Sequence, residues 1–468
     1  MQSQFNRKKF KTLPAGKILV FGTAFLFFFF IPAASLSAGT EGKSPREIFE
    51  SPPEDRNVES KGDPGTRKEV LHKLRREKAL QTSEPRQGFL EKYLNSLDQR
   101  AINPAEEANF IGFYPRFDII SRGSGPAVGI RYWRPDSIGS LDFMGSAFYS
   151  IRQYQHYDFK IGLIPHIGRR IPHKSFAADR FEELAEIDRS RFSKLKLYGS
   201  TRFRDRTDDS FYGSGPESKK EDLIRYRLKE ILAEGVIGYQ LNRNLGFTWK
   251  TGFVGHSLDC GRSSPNFCEM PGAPRIPGLA EPPNFVRIHT NVIYDRRDNP
   301  GNPHRGFMVA LGWEKWDNKN TGDSFNFHRT LADIRGYIPL GSRQRVLAVR
   351  GFFVNSDPGP DSRVPFFLQP SLGGGETLRG YDSFRFRGDK LALVQAEYRW
   401  EASRRLELAL FGDAGTVANQ GNRLSKHHIK SDAGIGFRLK TTDSTFIRID
   451  QAFSNEGPKT QFRFSVSF

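Results

Sequence analysis

The sequence predicts an all-β chain: a transmembrane antiparallel β-barrel of about sixteen strands, preceded by a short, polar, partly helical N-terminal arm. Three observations carry that expectation. The first residues read as an export signal, apolar and polar residues alternate with period two from Asn109 onward, and the last residue, Phe468, is an aromatic strand residue. A mean hydropathy of -0.56 is too polar for a helical membrane protein. The 45 Gly and 41 Phe suit many short amphipathic strands joined by turns.

Arg7, Lys8, Lys9, Lys11 and Lys17 precede an apolar run from Ile18 to Ile31, and small residues follow in "AASLSA". That is the layout of a secretory signal peptide over residues 1–38, cleaved near Ser37 or Ala38. A membrane anchor is the alternative, but the run is shorter than the roughly 20 residues a spanning helix needs. No later stretch offers a helical span, so a membrane location requires a barrel. Removing residues 1–38 takes five basic residues and no acidic ones, lowering the formal charge from +18 to +13. An exported basic chain meets anionic lipid and lipopolysaccharide, with no nucleic acid as partner.

Residues 39–107 are polar and contain Pro52, Pro53, Pro64 and Pro85, with helical patterns at 66–81 and 88–99. They read as a periplasmic arm able to meet a periplasmic partner. Beyond Asn109 the alternation is plainest in "QFRFSVSF": Phe462, Phe464, Val466 and Phe468 share one face, opposite Gln461, Arg463, Ser465 and Ser467. Phe307, Val309, Leu311 and Trp313 repeat the pattern. Between 285 and 295, Val286, Ile288, Val292 and Tyr294 alternate with Arg287, His289, Asn291 and Asp295.

A soluble sandwich would alternate as well. Export, the aromatic last residue and alternately short and long connections favour the barrel. The strands are expected at 109–121, 125–134, 139–152, 155–165, 192–207, 222–240, 245–256 and 284–296. The remaining eight are expected at 306–316, 324–338, 345–354, 389–401, 405–414, 431–440, 444–453 and 461–468. An even number puts both termini on the periplasmic side and the long 355–388 loop outside. The 166–191 connection, with a helix expected at 177–188, is discordant: it would be a long periplasmic insertion.

Cys260 and Cys268 stand in "CGRSSPNFC", a segment that holds no His. One disulfide closing a small loop is the expectation, two free thiols the alternative, and no metal site is expected.

"LRGY" at 378–381, "FGDAG" at 411–415, "YDRRDNPGNPHRGF" at 294–307 and the terminal "QFRFSVSF" together resemble the bacterial surface antigen superfamily of outer-membrane assembly factors, the BamA/TamA-like barrels. The likeness spans about 360 residues in the family's order. It implies a barrel whose long loop folds back into the lumen, where Arg379, followed by Gly380 and Tyr381, meets Glu397 and Asp413 on the wall, with Phe411 beside the latter. "FYGSGP" at 211–216 resembles a strand-end motif of the same family. Family members that insert or export proteins carry periplasmic POTRA domains. Residues 39–107 are barely long enough for one and lack its strands, so the resemblance covers the barrel alone.

The alternation tests this independently. Ala392, Val394, Ala396, Tyr398 and Trp400 form one face of their strand, which turns Gln395, Glu397, Arg399 and Glu401 the other way. Leu406, Leu408 and Leu410 likewise oppose Glu407, Phe411 and Asp413. Glu397 and Asp413 therefore both face the lumen. An arginine entering there finds paired carboxylates that suit its planar fork. In "YDRRDNPGNPHRGF", Asp295 and Asp298 are expected to bond local amides in a turn shaped by Pro303 and Gly306.

No Gly-x-Ser-x-Gly elbow, His-Glu-x-x-His or phosphate-binding loop is present, so no enzyme and no cofactor are expected. Two functions fit: a barrel for outer-membrane protein insertion or export, acting on an unfolded outer-membrane protein or exported substrate through its first/last-strand seam, or a passive plugged channel or structural surface antigen.

Overall fold

The computed structural model describes residues 112–138, 141–164, 195–269, 276–299, 302–403, 405–440 and 445–463, all within the unit Pro85–Phe468. The signal peptide, the 39–107 arm, the 177–188 helix and Phe464, Val466 and Phe468 lie outside the described residues.

The elements, in chain order, are β1 (Gly112–Asp118), β2 (Ala127–Ile138), β3 (Leu141–Ser150), β4 (Gln155–Leu163), β5 (Leu195–Phe211), β6 (Ile224–Gln240), β7 (Leu245–Cys260), β8 (Phe285–Asp295) and β9 (Gly306–Asn318). There follow β10 (Phe327–Leu340), β11 (Ser342–Pro358), β12 (Ser371–Leu372), β13 (Phe386–Arg387), β14 (Lys390–Glu401), β15 (Leu406–Ala418), β16 (Lys430–Lys440), β17 (Thr445–Ser454) and β18 (Gly457–Arg463). Sixteen of them form one antiparallel sheet in which each strand pairs with the next; β12 and β13 pair with each other in a separate two-stranded sheet inside the long connection from β11 to β14.

Distances within that connection show that the sheet closes. In a flat sheet, β1 and β18 would stand about 70 Å apart at roughly 4.8 Å per strand step. Yet Arg122, just past β1, donates to the carbonyl of Gly373 at 3.4 Å, and Arg463 on β18 is ion-paired with Glu376. Gly373 and Glu376 are at most about 11 Å apart along the chain. The two ends of the sheet therefore face each other around the loop.

Burial is inverted relative to a soluble protein. Val394, Trp400, Leu410 and Phe462 are among the exposed apolar residues, whereas Arg131, Glu234, Arg287, Asp333, Glu397 and Arg438 are among the buried charged ones. Along β14 exposure alternates: Val394 is 57% exposed, Gln395 and Glu397 1% each, Trp400 44%. The polar face looks inward on the lumen and the apolar face outward to lipid, as backbone pairing in a barrel permits.

Connections at one end of the barrel are tight. Asn242 accepts the amides of Asn244 and Leu245 through its side-chain oxygen at 2.9 and 3.0 Å. Gly341, with φ of 71°, is the sole residue between β10 and β11. The opposite end carries the longer loops, among them 212–223, 261–284 and 359–389. Here several strands run past the expected limits: β5 to Phe211, β7 to Cys260, β11 to Pro358 and β15 to Ala418, while β18 starts early at Gly457.

An arginine on the outer face of β14 tests the inside-out arrangement. Val394→Arg should lower stability by about 2–4 kcal/mol in a denaturant titration of folding into lipid bilayers; an unchanged midpoint would contradict the outward assignment.

Candidate functional site: the loop inside the barrel

The 359–389 connection fills the lumen because its backbone can turn sharply there. Gly373 has φ of 107°, and a Cβ on it would lie 2.1 Å from the carbonyl oxygen of Asp382. The turn is closed by the Gly373 amide donating to Thr377 Oγ1 at 2.8 Å and the Gly374 amide donating to the carbonyl of Tyr381 at 3.1 Å. Leu378 and Tyr381 pack with Leu331, Phe352, Leu372, Phe386, Leu391, Leu393 and Val417 into an apolar cluster against β10, β11, β14 and β15. Burial of that cluster carries Arg379 into the lumen with it.

Arg379 is fully buried. Its Nε and Nη2 donate to the two oxygens of Asp413 at 2.7 and 2.8 Å, a bidentate fork. Nη1 donates to Glu397 Oε2 at 2.9 Å and stands 3.6 Å from Asp450 Oδ2. The guanidinium lies 3.4 Å above the centre of the Phe411 ring. Phe411 can lie there because Gly434, its register partner on β16, leaves room: a Cβ on Gly434 would be 2.6 Å from Phe411 Cζ. Gly380 is equally constrained, since its Cβ would meet Asp432 at 2.7 Å and Ser454 at 2.9 Å. The Tyr381 hydroxyl donates to Asn455 Oδ1 at 2.7 Å.

The carboxylates are held in turn. Glu397 Oε1 takes Arg399 at 2.7 Å and Arg438 at 2.5 Å, and Arg438 also reaches Glu407 at 2.7 Å. Asp450 pairs with Arg448, whose Nη2 donates to the carbonyl of Gly375 at 3.2 Å. One network thus joins the loop to β14, β15, β16 and β17, with charges neutralised pairwise as a buried site requires. No sequence motif marks Asp450, Arg438 or Arg448. Alternation turns them inward, but the approach of the loop is a tertiary fact that alternation does not carry.

The loop is also fastened to the last strands. Ser454 Oγ donates to the carbonyl of Gly380 at 2.8 Å, Gln461 Nε2 to that of Arg379 at 3.2 Å, and Lys459 Nζ to Asp382 at 2.6 Å. Ser214, in the "FYGSGP" segment, bridges Arg387, and the Gly215 amide donates to the carbonyl of Arg387 at 2.6 Å.

The remaining motif residues lie outside this network, which the turn reaches through His304, whose partner Glu401 pairs with Lys440 beside Glu407. Asp298 Oδ1 accepts the amides of Asn299, His304 and Arg305 at 2.9–3.2 Å, and Asp295 Oδ1 accepts that of Arg297 at 2.9 Å. Pro303 precedes His304, whose ring meets Glu401 at 2.7 Å. Gly306, with φ of 107°, would bring a Cβ to 2.2 Å from the carbonyl oxygen of Arg296. Cys260, the last residue of β7, forms a disulfide with Cys268, and Phe462 is exposed on the outer face of β18.

Removing the guanidinium while its carboxylates stay buried should be costly. Arg379→Ala is expected to lose about 3–5 kcal/mol and to expose the loop to protease. Arg379→Lys should recover only part of this, because an ammonium cannot form the fork. Wild-type heat-modifiability on gels together with wild-type protease resistance in the alanine variant would contradict this.

No curated protein sequence matches the chain. Among solved structures, BamA from Haemophilus ducreyi lacking POTRA domains 1-3 superposes with a TM-score of 0.52 at 14% identity, covering 80% of this chain and 78% of that one. CdiB from Acinetobacter baumannii gives a TM-score of 0.45 at 12% identity, covering 76% and 59%. CdiB from Escherichia coli gives 0.44 at 11%, covering 76% and 62%. The Omp85 superfamily domain matches residues 188–468, β5 to the last residue. The chain therefore belongs to the Omp85 superfamily of outer-membrane β-barrels.

Proposed function

We propose that the protein acts in outer-membrane protein insertion or export, working at the seam between β1 and β18 while the loop is latched in the lumen by Arg379. Its place is the outer membrane of a Gram-negative-type bacterium, with the longer loops outward and residues 39–107 in the periplasm. One observation supports the reading above the others. The segment 371–382 reaches both sides of the seam, through Arg122 beyond β1 and through Gln461 and Arg463 on β18. A seam braced from inside by a removable strap can open without dismantling the wall, and an opened strand edge is a template for an incoming strand. The substrate is accordingly an unfolded outer-membrane protein or an exported chain. The partners in the membrane are lipid and lipopolysaccharide.

A locked seam tests this. Single cysteines placed in 112–118 and 457–463 and joined by a reducible crosslinker should abolish the protein's acceleration of outer-membrane protein folding in proteoliposomes, and reduction should restore it. Acceleration that survives the lock would contradict the seam mechanism and leave the plugged channel as the better reading.

A further inference from the structure

Between the β12–β13 hairpin and the walls of β10 and β11 lies a cavity of about 90 Å³. Five guanidiniums line it, those of Arg122, Arg206, Arg329, Arg350 and Arg387, and among the described residues Glu376 is the sole carboxylate at its wall. Much of this charge is answered from behind. Arg206 pairs with Asp209 at 3.1 Å, Arg329 with Glu314 at 3.5 Å and Arg350 with Asp333 at 3.0 Å. Glu376 itself pairs with Arg463 on β18.

Arg387 differs. It is 2% exposed, and every acceptor it meets is neutral: the carbonyls of Phe366 at 3.3 Å and Ser210 at 3.1 Å, and the hydroxyl of Tyr226 at 2.9 Å. Its Nε has no hydrogen-bond partner. A buried cation ordinarily has an anion beside it. The backbone of Arg387 is fixed on both sides, by its β-pairing with Ser371 and by the Gly215 amide. The side chain cannot leave to find water without dismantling the hairpin.

Phe384 adds a second observation. It takes a left-handed backbone, φ 63°, that a bulky residue rarely adopts. In that conformation its ring lies 4.7 Å from the guanidinium of Arg387 and 4.8 Å from that of Arg122. One strained residue thus gathers two cations at the cavity. The volume is several times the roughly 10–15 Å³ that one water requires, which leaves room for a tetrahedral oxyanion.

We propose that this cavity is an oxyanion site that takes a phosphate group, with Arg387 at its floor and Arg122 at its side. Guanidiniums converging from several strands suit an anion with several acceptor oxygens. The phosphate can come as the free ion or on the glucosamine of lipid A, and the two sources share this chemistry. The proposal does not rest on the seam mechanism, although Arg122 also braces the seam through Ser371.

The test uses the full barrel in detergent micelles in chloride buffer, titrated calorimetrically with inorganic phosphate in one arm and with lipid A in the other. Single-site saturation is expected, weakened at least tenfold in both Arg387→Gln and Arg122→Gln. Arg243→Gln, in an exposed turn at the other end, should bind as the wild type does. Saturation by inorganic phosphate assigns the free ion, and saturation by lipid A alone assigns the lipid-borne group; either supports the site. Should Arg387→Gln fail to fold, Arg122→Gln and a phosphate-dependent rise in the wild-type Tm carry the test. Absence of saturable binding in both arms, or unchanged affinity in the folded variants, overturns the proposal.

Discussion

The rest of the structure depends on one electrostatic constraint: a guanidinium and its carboxylates can be buried together but not apart. Arg379 lies out of reach of solvent, and so do Glu397, Asp413 and Asp450 around it. Taking any of these charges out of water alone would cost several kcal/mol. The loop and the wall therefore complete each other. Without the loop, Asp413 on β15 would lose its arginine while Glu397 and Asp450 kept only their wall partners; without the wall, the loop would carry a naked cation into an apolar cluster.

That constraint explains features that look unrelated in the chain. Gly380 and Gly434 are small because Asp432 and Phe411 need the space their side chains would take. Arg399 and Arg438 hold Glu397 in place, and they face inward because the outer face of a barrel excludes charge. Strand alternation, loop geometry and ion pairing are thereby three consequences of a single arrangement, and they agree with one another.

Much of this is legible in the amino-acid order alone. Sixteen barrel strands form, and fifteen stand largely where period-two alternation puts them, because lipid on one side and a polar lumen on the other is the sharpest contrast a strand can meet. The last, expected at 461–468, shares only residues 461–463 with the observed strand, and 464–468 lie outside the described residues. The strand ends are less legible, and the extensions of β5, β7, β11, β15 and β18 all lie at the end with the longer loops. There the segments "TDDSF", "SLDC" and "NSDP" continue the ladder beyond the lipid. Both faces are then polar, and the alternation that marks a strand disappears. The pairing of Arg379 with Glu397 and Asp413 is within reach of the family likeness and the facing of the two carboxylates. Asp450 and the arginine-lined cavity are not, since each depends on how far a loop descends into the lumen.

The central claim is that Arg379 and Asp413 stabilise the barrel through each other. A double-mutant cycle on Arg379→Met and Asp413→Asn, read by denaturant titration in bilayers, measures that coupling directly. The account predicts that the double variant is less destabilised than the sum of the single ones, with a coupling of about 2–4 kcal/mol. Effects that add to within about 0.5 kcal/mol would contradict it.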